Sequence, residues 1–204
     1  MAGKQFLDTV YGQTGVQQMK DIYRDWAASY DAELASNGYV TPARAAAALG
    51  RFTGPDAAVF DVGCGTGLYG AALAQAGFTA IDGCDTSPEM LEKAGEKGVY
   101  RNLVLSAPDH PPDFSGGPYP VVSAIGVIGA GAAPITLYHE IVGGMAPGGL
   151  FVFTFNDHTL REPAFGAAVA ASVAGGHFEE LFKEYGPHLP KRDMKSIVYI
   201  LKKL

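Results

Sequence analysis

The stretch Val59-Phe60-Asp61-Val62-Gly63-Cys64-Gly65-Thr66-Gly67-Leu68 constrains this chain more than any other. A short apolar run contains an acid near its end, glycines then fall at alternate positions, and a helical pattern follows. Glycine reaches backbone angles closed to other residues and lets a ligand come within contact distance of the main chain. A helix that begins directly after such a loop offers free N–H groups and the positive end of its dipole, and both favour a negative group. The stretch therefore predicts a strand, a loop and a helix that together bind a small ligand with an anionic end.

Two frames fit it. Gly65-Thr66-Gly67-Leu68-Tyr69-Gly70 has the G-x-G-x-x-G spacing found at dinucleotide sites. Asp61-x-Gly63-x-Gly65-x-Gly67 is a longer frame over the same residues. In the dinucleotide arrangement the first glycine follows the strand directly, which leaves Asp61 and Gly63 without a role. The longer frame uses every special residue.

The remainder of the chain narrows the class. It has 204 residues, 48% of them hydrophobic, enough for one core. Residues 1–54 read as an N-terminal helical cap and residues 55–204 as the ligand-binding domain, in one compact unit. Mean hydropathy is +0.08 and no long apolar run occurs, so no transmembrane helix is expected. Residues 1–10 lack the basic start and apolar core of a signal peptide. A net charge of −6 disfavours a nucleic-acid partner. Cys64 and Cys84 do not form a secreted disulfide framework, and a redox link between them is less expected than two reduced packing thiols. The expected setting is the cytoplasm, as a monomer or homodimer.

Helical and strand patterns alternate. Met19, Ile22, Tyr23, Trp26, Tyr30 and Leu34 share one helical face over residues 14–34, closed by Asn37-Gly38. Thr41-Pro42 opens a second helix, with Thr41 as its N-cap. Strands are expected at 57–62, 78–85, 99–105, 119–125 and 150–155. Helices are expected at 68–76, from Pro88 to just before Gly98, at 133–145 and at 163–173. Ser87 is the expected N-cap of the helix that opens at Pro88. Nearly continuous apolar strands alternating with helices indicate a parallel sheet covered on both faces. Residues 178–185 and 195–201 have only a loop between them, which allows antiparallel pairing.

At this point the chain resembles the class I S-adenosylmethionine (SAM)-dependent methyltransferases, from about Tyr23 to Leu201. The resemblance rests on the Asp61–Gly67 frame, on Gly83-Cys84-Asp85-Thr86-Ser87-Pro88-Glu89-Met90-Leu91, and on Met145-Ala146-Pro147-Gly148-Gly149-Leu150. The terminal hairpin and Tyr23-Arg24-Asp25-Trp26-Ala27-Ala28-Ser29-Tyr30-Asp31 complete it. Within the class it looks most like the methyltransferase-like proteins typified by the Williams–Beuren syndrome region protein. The resemblance implies a Rossmann-like α/β three-layer sandwich. Its seven-stranded, mostly parallel sheet would have the order 3-2-1-4-5-7-6, with strand 7 antiparallel.

It also implies roles. Gly63, Cys64, Gly65 and Gly67 would pack against the methionine moiety of SAM. Asp61 would orient the amino group, often through water. Asp85 would take both ribose hydroxyls, an acceptor-only group facing two donors. Thr86 and Met90 would line the adenine face. At the adenine edge many relatives carry Gly-Asp-Ala, whereas this chain has Leu105-Ser106-Ala107-Pro108-Asp109. Either Ser106 or a backbone group such as that of Ala107 replaces the contact, or Asp109 does from further along. Gly126 would allow close approach of SAM, and Tyr30 or Tyr23 would reach its carboxylate.

A sulfonium is already an activated methyl donor, so positioning and exclusion of water supply much of the rate. A base is optional for an amine or thiolate and helps a hydroxyl. Base candidates follow the carboxyl ends of strands, where open α/β sheets bind ligands. His158 is the catalytic candidate there, with Asn156, His158 and Trp26 as substrate contacts. Asp157 and His110 are further groups at that edge, and His177 and His188 have weaker cases. No metal is expected. The expected function is SAM-dependent methyl transfer to a small molecule, with S-adenosylhomocysteine (SAH) as product. An NAD(P)-dependent oxidoreductase and a catalytically silent SAM-binding module are the alternatives.

Overall fold

The computed structural model describes residues 29–107, 114 and 119–204. The cap residues Tyr23 and Trp26, and Asp109 and His110 after the third strand, lie outside the described residues. So does most of the aromatic helical face. Its final part is α1 (Tyr30–Ser36), where Leu34 is buried.

Seven strands form one sheet in the order β3-β2-β1-β4-β5-β7-β6. They are β1 (Val59–Val62), β2 (Ile81–Asp85), β3 (Asn102–Leu105), β4 (Val121–Ala124), β5 (Leu150–Asn156), β6 (Phe178–Leu189) and β7 (Met194–Lys203). The first five pair in parallel. β7 is antiparallel to both β5 and β6. This is the expected order and the expected antiparallel seventh strand.

The apolar runs are continuous because both sheet faces are covered. Phe151, Phe153 and Phe155 of β5 point to one face, with Phe60, Val62 and Val122. There they meet Tyr138 and Ile141 of α5 (Ile135–Gly144) and Phe165 and Val169 of α7 (Pro163–Ala174). Phe153 stacks on Tyr199 at 4.9 Å and 9° between planes. Val59, Ile81, Val121 and Val152 point the other way, onto α2 (Thr41–Leu49) and α3 (Leu68–Gln75). Fully burying one such side chain contributes about 1.5–3 kcal/mol, so neither face of β5 tolerates a polar residue without cost.

Several local expectations change; β6 and β7 run longer than the expected 178–185 and 195–201. Thr41 is not the N-cap of α2; Val40 holds that place, and the Thr41 hydroxyl turns inward to His188 and Ser196. Strands β1 to β4 are each shorter than expected, and Tyr100 and Tyr119, just outside β3 and β4, make side-chain bonds to Asp61 and Asp82. A short helix, α6 (Asp157–Leu160), follows β5 where only a loop was expected. It exists because the Asn156 carbonyl accepts from the Thr159 N–H at 3.0 Å, an N-cap bond. Ser87 caps α4 (Pro88–Glu96) as expected, accepting from the Met90 N–H at 3.2 Å.

Candidate functional site

β1 delivers the chain into a loop in which Gly63, Gly65 and Gly67 all have left-handed φ, at 64°, 55° and 84°. A Cβ at Gly63 would fall 2.6 Å from Val127 Cγ1, and one at Gly67 3.0 Å from Tyr100 Cε2. At Gly65 nothing among the described residues lies within 4 Å. The two outer glycines are therefore packed from below, and the middle one opens upward. α3 starts directly after, with Gly67 as its N-cap. This is the loop geometry the sequence predicts.

β2 runs parallel to β1 and ends at Asp85 beside this loop. The Gly65 N–H donates to Asp85 Oδ2 at 2.8 Å, and the Ser87 N–H to Oδ1 at 2.9 Å. Burial pushes the Asp85 carboxyl above its ordinary value, and the backbone donors Ser87, Gly65 and Thr86 pull it back. A carboxylate has about four acceptor positions, so after the Ser87, Gly65 and Thr86 N–H groups at least one remains. Thr86, next along, is exposed, whereas Met90 is only 2% exposed and packs in the core. The Ser106 N–H donates to the Asp85 carbonyl at 2.9 Å, which sets Ser106 and Ala107 at the same edge.

Asp61 lies under the loop and is 1% exposed. Ser123 Oγ donates to its Oδ1 at 2.9 Å and Tyr100 Oη to its Oδ2 at 2.8 Å. Burial pushes its carboxyl up to about 7, against the Tyr100 and Ser123 hydrogen bonds, with the Asp85 charge adding a further rise. Cys64 and Cys84 are buried free thiols. Burial pushes both up, Cys84 to about 12, so neither is a thiolate nucleophile.

The described end of the cap crosses the loop at Asp31. Thr66 Oγ1 donates to Asp31 Oδ1 at 2.5 Å, and Lys97 Nζ pairs with Oδ2 at 2.6 Å. Tyr30, the first residue of α1, precedes Asp31 directly. Across it, Gly126 has φ 74°, its N–H donates to Thr154 Oγ1 at 2.9 Å, and a Cβ there would be 3.1 Å from Tyr39 Oη.

The carboxyl edge beyond β5 holds the remaining candidates. Asn156 Oδ1 is committed to Thr159, taking its N–H and its hydroxyl. Asp157 accepts from Tyr185 Oη and from the Lys195 N–H, both at 2.7 Å. His158 is depressed by burial and then by the Arg161 charge, with Asp157 opposing, which favours the neutral imidazole. The hairpin register pairs Asn156 with Ser196 and Leu189 with Met194, so His188 reaches the same edge. Its Nδ1 is 2.8 Å from Thr41 Oγ1 and its ring meets Tyr39 edge-on at 5.1 Å. Burial pushes it down to about 4, so it too is neutral. His177 lies at the opposite edge, just before β6 pairs Phe178 with Lys203.

Sequence reasoning missed Tyr100, the group in closest contact with both Asp61 and the glycine loop. The available signal was a pair of glycines in regular structure, Gly70 in α3 and Gly83 in β2, each of which gives way to the Tyr100 ring.

Residues 60–151 match a family described as a methyltransferase domain. Methyltransferase-like protein 27 of Homo sapiens is 34% identical over 148 residues, covering 71% of this chain and 60% of that protein. The chain thus spans less than two thirds of the length of this curated relative. Among solved structures, magnesium protoporphyrin IX methyltransferase from Synechocystis with bound SAM is 17% identical, covers 97% of this chain and 90% of its own, and superposes with a TM-score of 0.55. The [4+2]-cyclase SpnF is also 17% identical, over 79% of this chain and 80% of its own, with a TM-score of 0.58. These structures share the Rossmann-like fold described above.

Proposed function

On the premise that residues 60–151 form a methyltransferase domain, we propose that this chain moves the sulfonium methyl of SAM in line to a nucleophile on a small molecule, leaving SAH. SAM is the cofactor that the domain match and the SAM- and SAH-bound structural neighbours support. The observation that carries the reading is the pairing of Gly65 with Asp85. An open, left-handed glycine and a clasped carboxylate, 2.8 Å apart, face the same space at the ends of neighbouring strands.

The residues present fit the cofactor. The loop 63–67, with Cys64 buried beneath it, would carry the methionine end. Asp85 would take the ribose hydroxyls, as an acceptor-only group facing donors. Thr86 would touch the adenine face, with Met90 behind it as a soft support. Ser106 and Ala107 would meet the adenine edge, and Gly126 the sulfur side. Tyr30, with Tyr23 as second choice, would bind the carboxylate. Asp61 acts from below the loop rather than on its open surface.

SAM, when bound, supplies an activated methyl group. The chain supplies alignment and a water-poor site. Asn156, His158 and Trp26 would hold the acceptor, and neutral His158 would take its proton where the nucleophile is a hydroxyl. The small-molecule assignment draws on the net charge of −6, which repels a nucleic-acid backbone. The two free buried thiols agree with a cytoplasmic setting. We assign the chain to the methyltransferase-like proteins typified by the Williams–Beuren syndrome region protein, an assignment that the 34% identity to methyltransferase-like protein 27 supports. Residues 1–54 are taken as a cap on the domain 55–204, with the burial of α2 against the sheet in support of one unit.

A screen of labelled SAM against small thiols, amines, phenols and carboxylates tests the activity. Transfer to any member, lost in Asp85→Ala, is the expected result. SAM binding without transfer to any acceptor class would favour the silent module, a reading to which the cyclase neighbour lends weight because its fold serves other chemistry.

A further inference from the structure

Tyr100 lies between α4 and β3, and its ring fills a space that three glycines leave open. A Cβ at Gly70 would overlap Cζ and Oη and come to 2.6 Å of Cε2. One at Gly83 would be 2.9 Å from Cε1, and one at Gly67 3.0 Å from Cε2. So α3, β2 and the cofactor loop all yield to this one side chain. Its hydroxyl accepts from the Gly70 N–H at 3.2 Å and donates to Asp61 at 2.8 Å. Ser123 of β4 fixes the other oxygen of the same carboxyl at 2.9 Å. Asp61 is thus held by groups from two further elements directly beneath the loop that would carry the cofactor's amino-acid end.

The groups facing Asp61 are Asp85 and Cys84 from β2, Cys64 from the loop, Tyr69 from α3, and Tyr100 and Ser123. None is a cation. Tyr69 Oη is buried without a hydrogen-bond partner among the described residues, so it gives the carboxylate no bond. Ionised Asp61, 1% exposed, therefore has two hydroxyl donors and no counter-charge among the described residues. A cofactor with a sulfonium and an ammonium supplies that counter-charge.

Resting on the SAM reading above, we propose that Tyr100 and Ser123 are positioning residues that hold Asp61 as a counter-charge for the cofactor's cationic end, so that cofactor binding expels the Asp61 proton. The proton leaves the Asp61 carboxyl for solvent as the cofactor seats, and no covalent bond to carbon or sulfur changes. The elevated carboxyl, pushed up to about 7, places this exchange in an accessible range. Below that value the free protein carries the proton and binding must remove it, so affinity falls as pH falls. Above it the carboxylate is ready and affinity levels off.

The test is calorimetric titration of SAM into the full chain at pH 6.5, in buffers of different ionisation heat, which counts protons released. The cofactor's own amino group, with an ordinary value of about 7.7–8.0, stays protonated there and contributes nothing. The wild type is expected to release about three quarters of a proton per SAM, and to gain about 25-fold in affinity from pH 5.5 to 7.5. Asp61→Asn is expected to release none and to bind with a flat profile. Tyr100→Phe removes one donor to the carboxylate, so its affinity rise moves to higher pH, a shift that lost packing alone would not produce. SAM binding without proton release in the wild type, or equal release in Asp61→Asn, overturns the proposal. That wild-type result decides even if a variant does not fold. A wild type that binds no SAM at all overturns the parent reading, and this proposal falls with it.

Discussion

Around the glycine loop, the groups that meet are near in sequence or lie on adjacent strands. Gly65 and Asp85 are 20 residues apart, Ser87 and Asp85 are 2, and Tyr100 and Asp61 are 39. At the far end of the same sheet edge the distances in sequence are several times larger. Thr41 meets His188 across 147 residues and Ser196 across 155, and Arg44 meets Glu184 across 140. Both regions bury a titratable group, and in opposite senses. Burial raises Asp61 and lowers His188, so in each it favours the neutral form. The cofactor end is thus a local motif with a buried acid beneath it. The hairpin end is a long-range assembly locked by a buried base.

The largest expected effect is at Asp85. Asp85→Ala should weaken SAM binding by about tenfold to a hundredfold, in line with hydrogen bonds to a charged group. The same substitution should leave the hairpin untouched, but it frees the Gly65 and Ser87 N–H groups, so a stability loss of about 1–3 kcal/mol should accompany the weaker binding. Titration calorimetry and a melting curve check both halves.

Gly70→Ala comes next. Its Cβ would overlap the Tyr100 ring, and Tyr100 is pinned between Gly67 and Gly83. Overpacking of this kind costs about 1–3 kcal/mol, readable as a shifted urea midpoint. Tyr100→Ala in the same chain should relieve the clash while leaving Asp61 short of one donor.

The two buried titratable groups give opposite pH profiles of stability. For Asp61 the native value is raised above the unfolded 3.8, so its stabilisation is complete below about 4 and is lost as pH rises through about 7. For His188 the native value is depressed below the unfolded 6.5, so its stabilisation is complete above about 6.5 and is lost as pH falls towards about 4. Each effect is on the order of 3 kcal/mol at full development. Between pH 4 and 6.5, Asp61→Asn and His188→Gln should therefore change the slope of stability against pH in opposite directions. Equal slopes would show that one of these groups is not held neutral. Thr41→Val, which leaves His188 Nδ1 without its partner, should cost about 1–2 kcal/mol at pH 7.

Asp31→Ala is the smallest. The Asp31–Lys97 pair is partly exposed, and such pairs contribute about 0–1 kcal/mol. Its effect should appear in the rate of SAM release more than in the melting temperature, since Asp31 also holds Thr66 of the loop.

The contrast between the two regions also explains what the sequence made legible. The parallel sheet covered on both faces followed from alternating apolar runs and helices, and its strand order from the resemblance. Ser87 as a cap, and the glycine loop beside Asp85, followed from local spacing, because hydrogen bonds between neighbours leave a local signature. Thr41 was misread for the opposite reason. A threonine before a proline has the form of an N-cap, but a partner 147 residues away recruited its hydroxyl. His188 was ranked below His158, and its place beside Thr41 at the same edge is a long-range contact that local spacing does not show. Asn156 was read as a substrate contact, and its carbonyl turns out to cap α6. Tyr100 gave only an indirect sign, in glycines placed where a helix and a strand would normally avoid them.

The Gly65–Asp85 site is expected to take SAM and not a dinucleotide. Gly70, the third glycine of the competing frame, is occupied by Tyr100. The direct measurement is parallel titration calorimetry of the full chain with SAM, SAH and NAD(H). Binding of SAM and SAH at micromolar strength, about −8 kcal/mol, with sharp loss in Asp85→Ala, is the predicted result. Micromolar NAD(H) binding without SAM binding, or an Asp85→Ala variant with full SAM affinity, would contradict it.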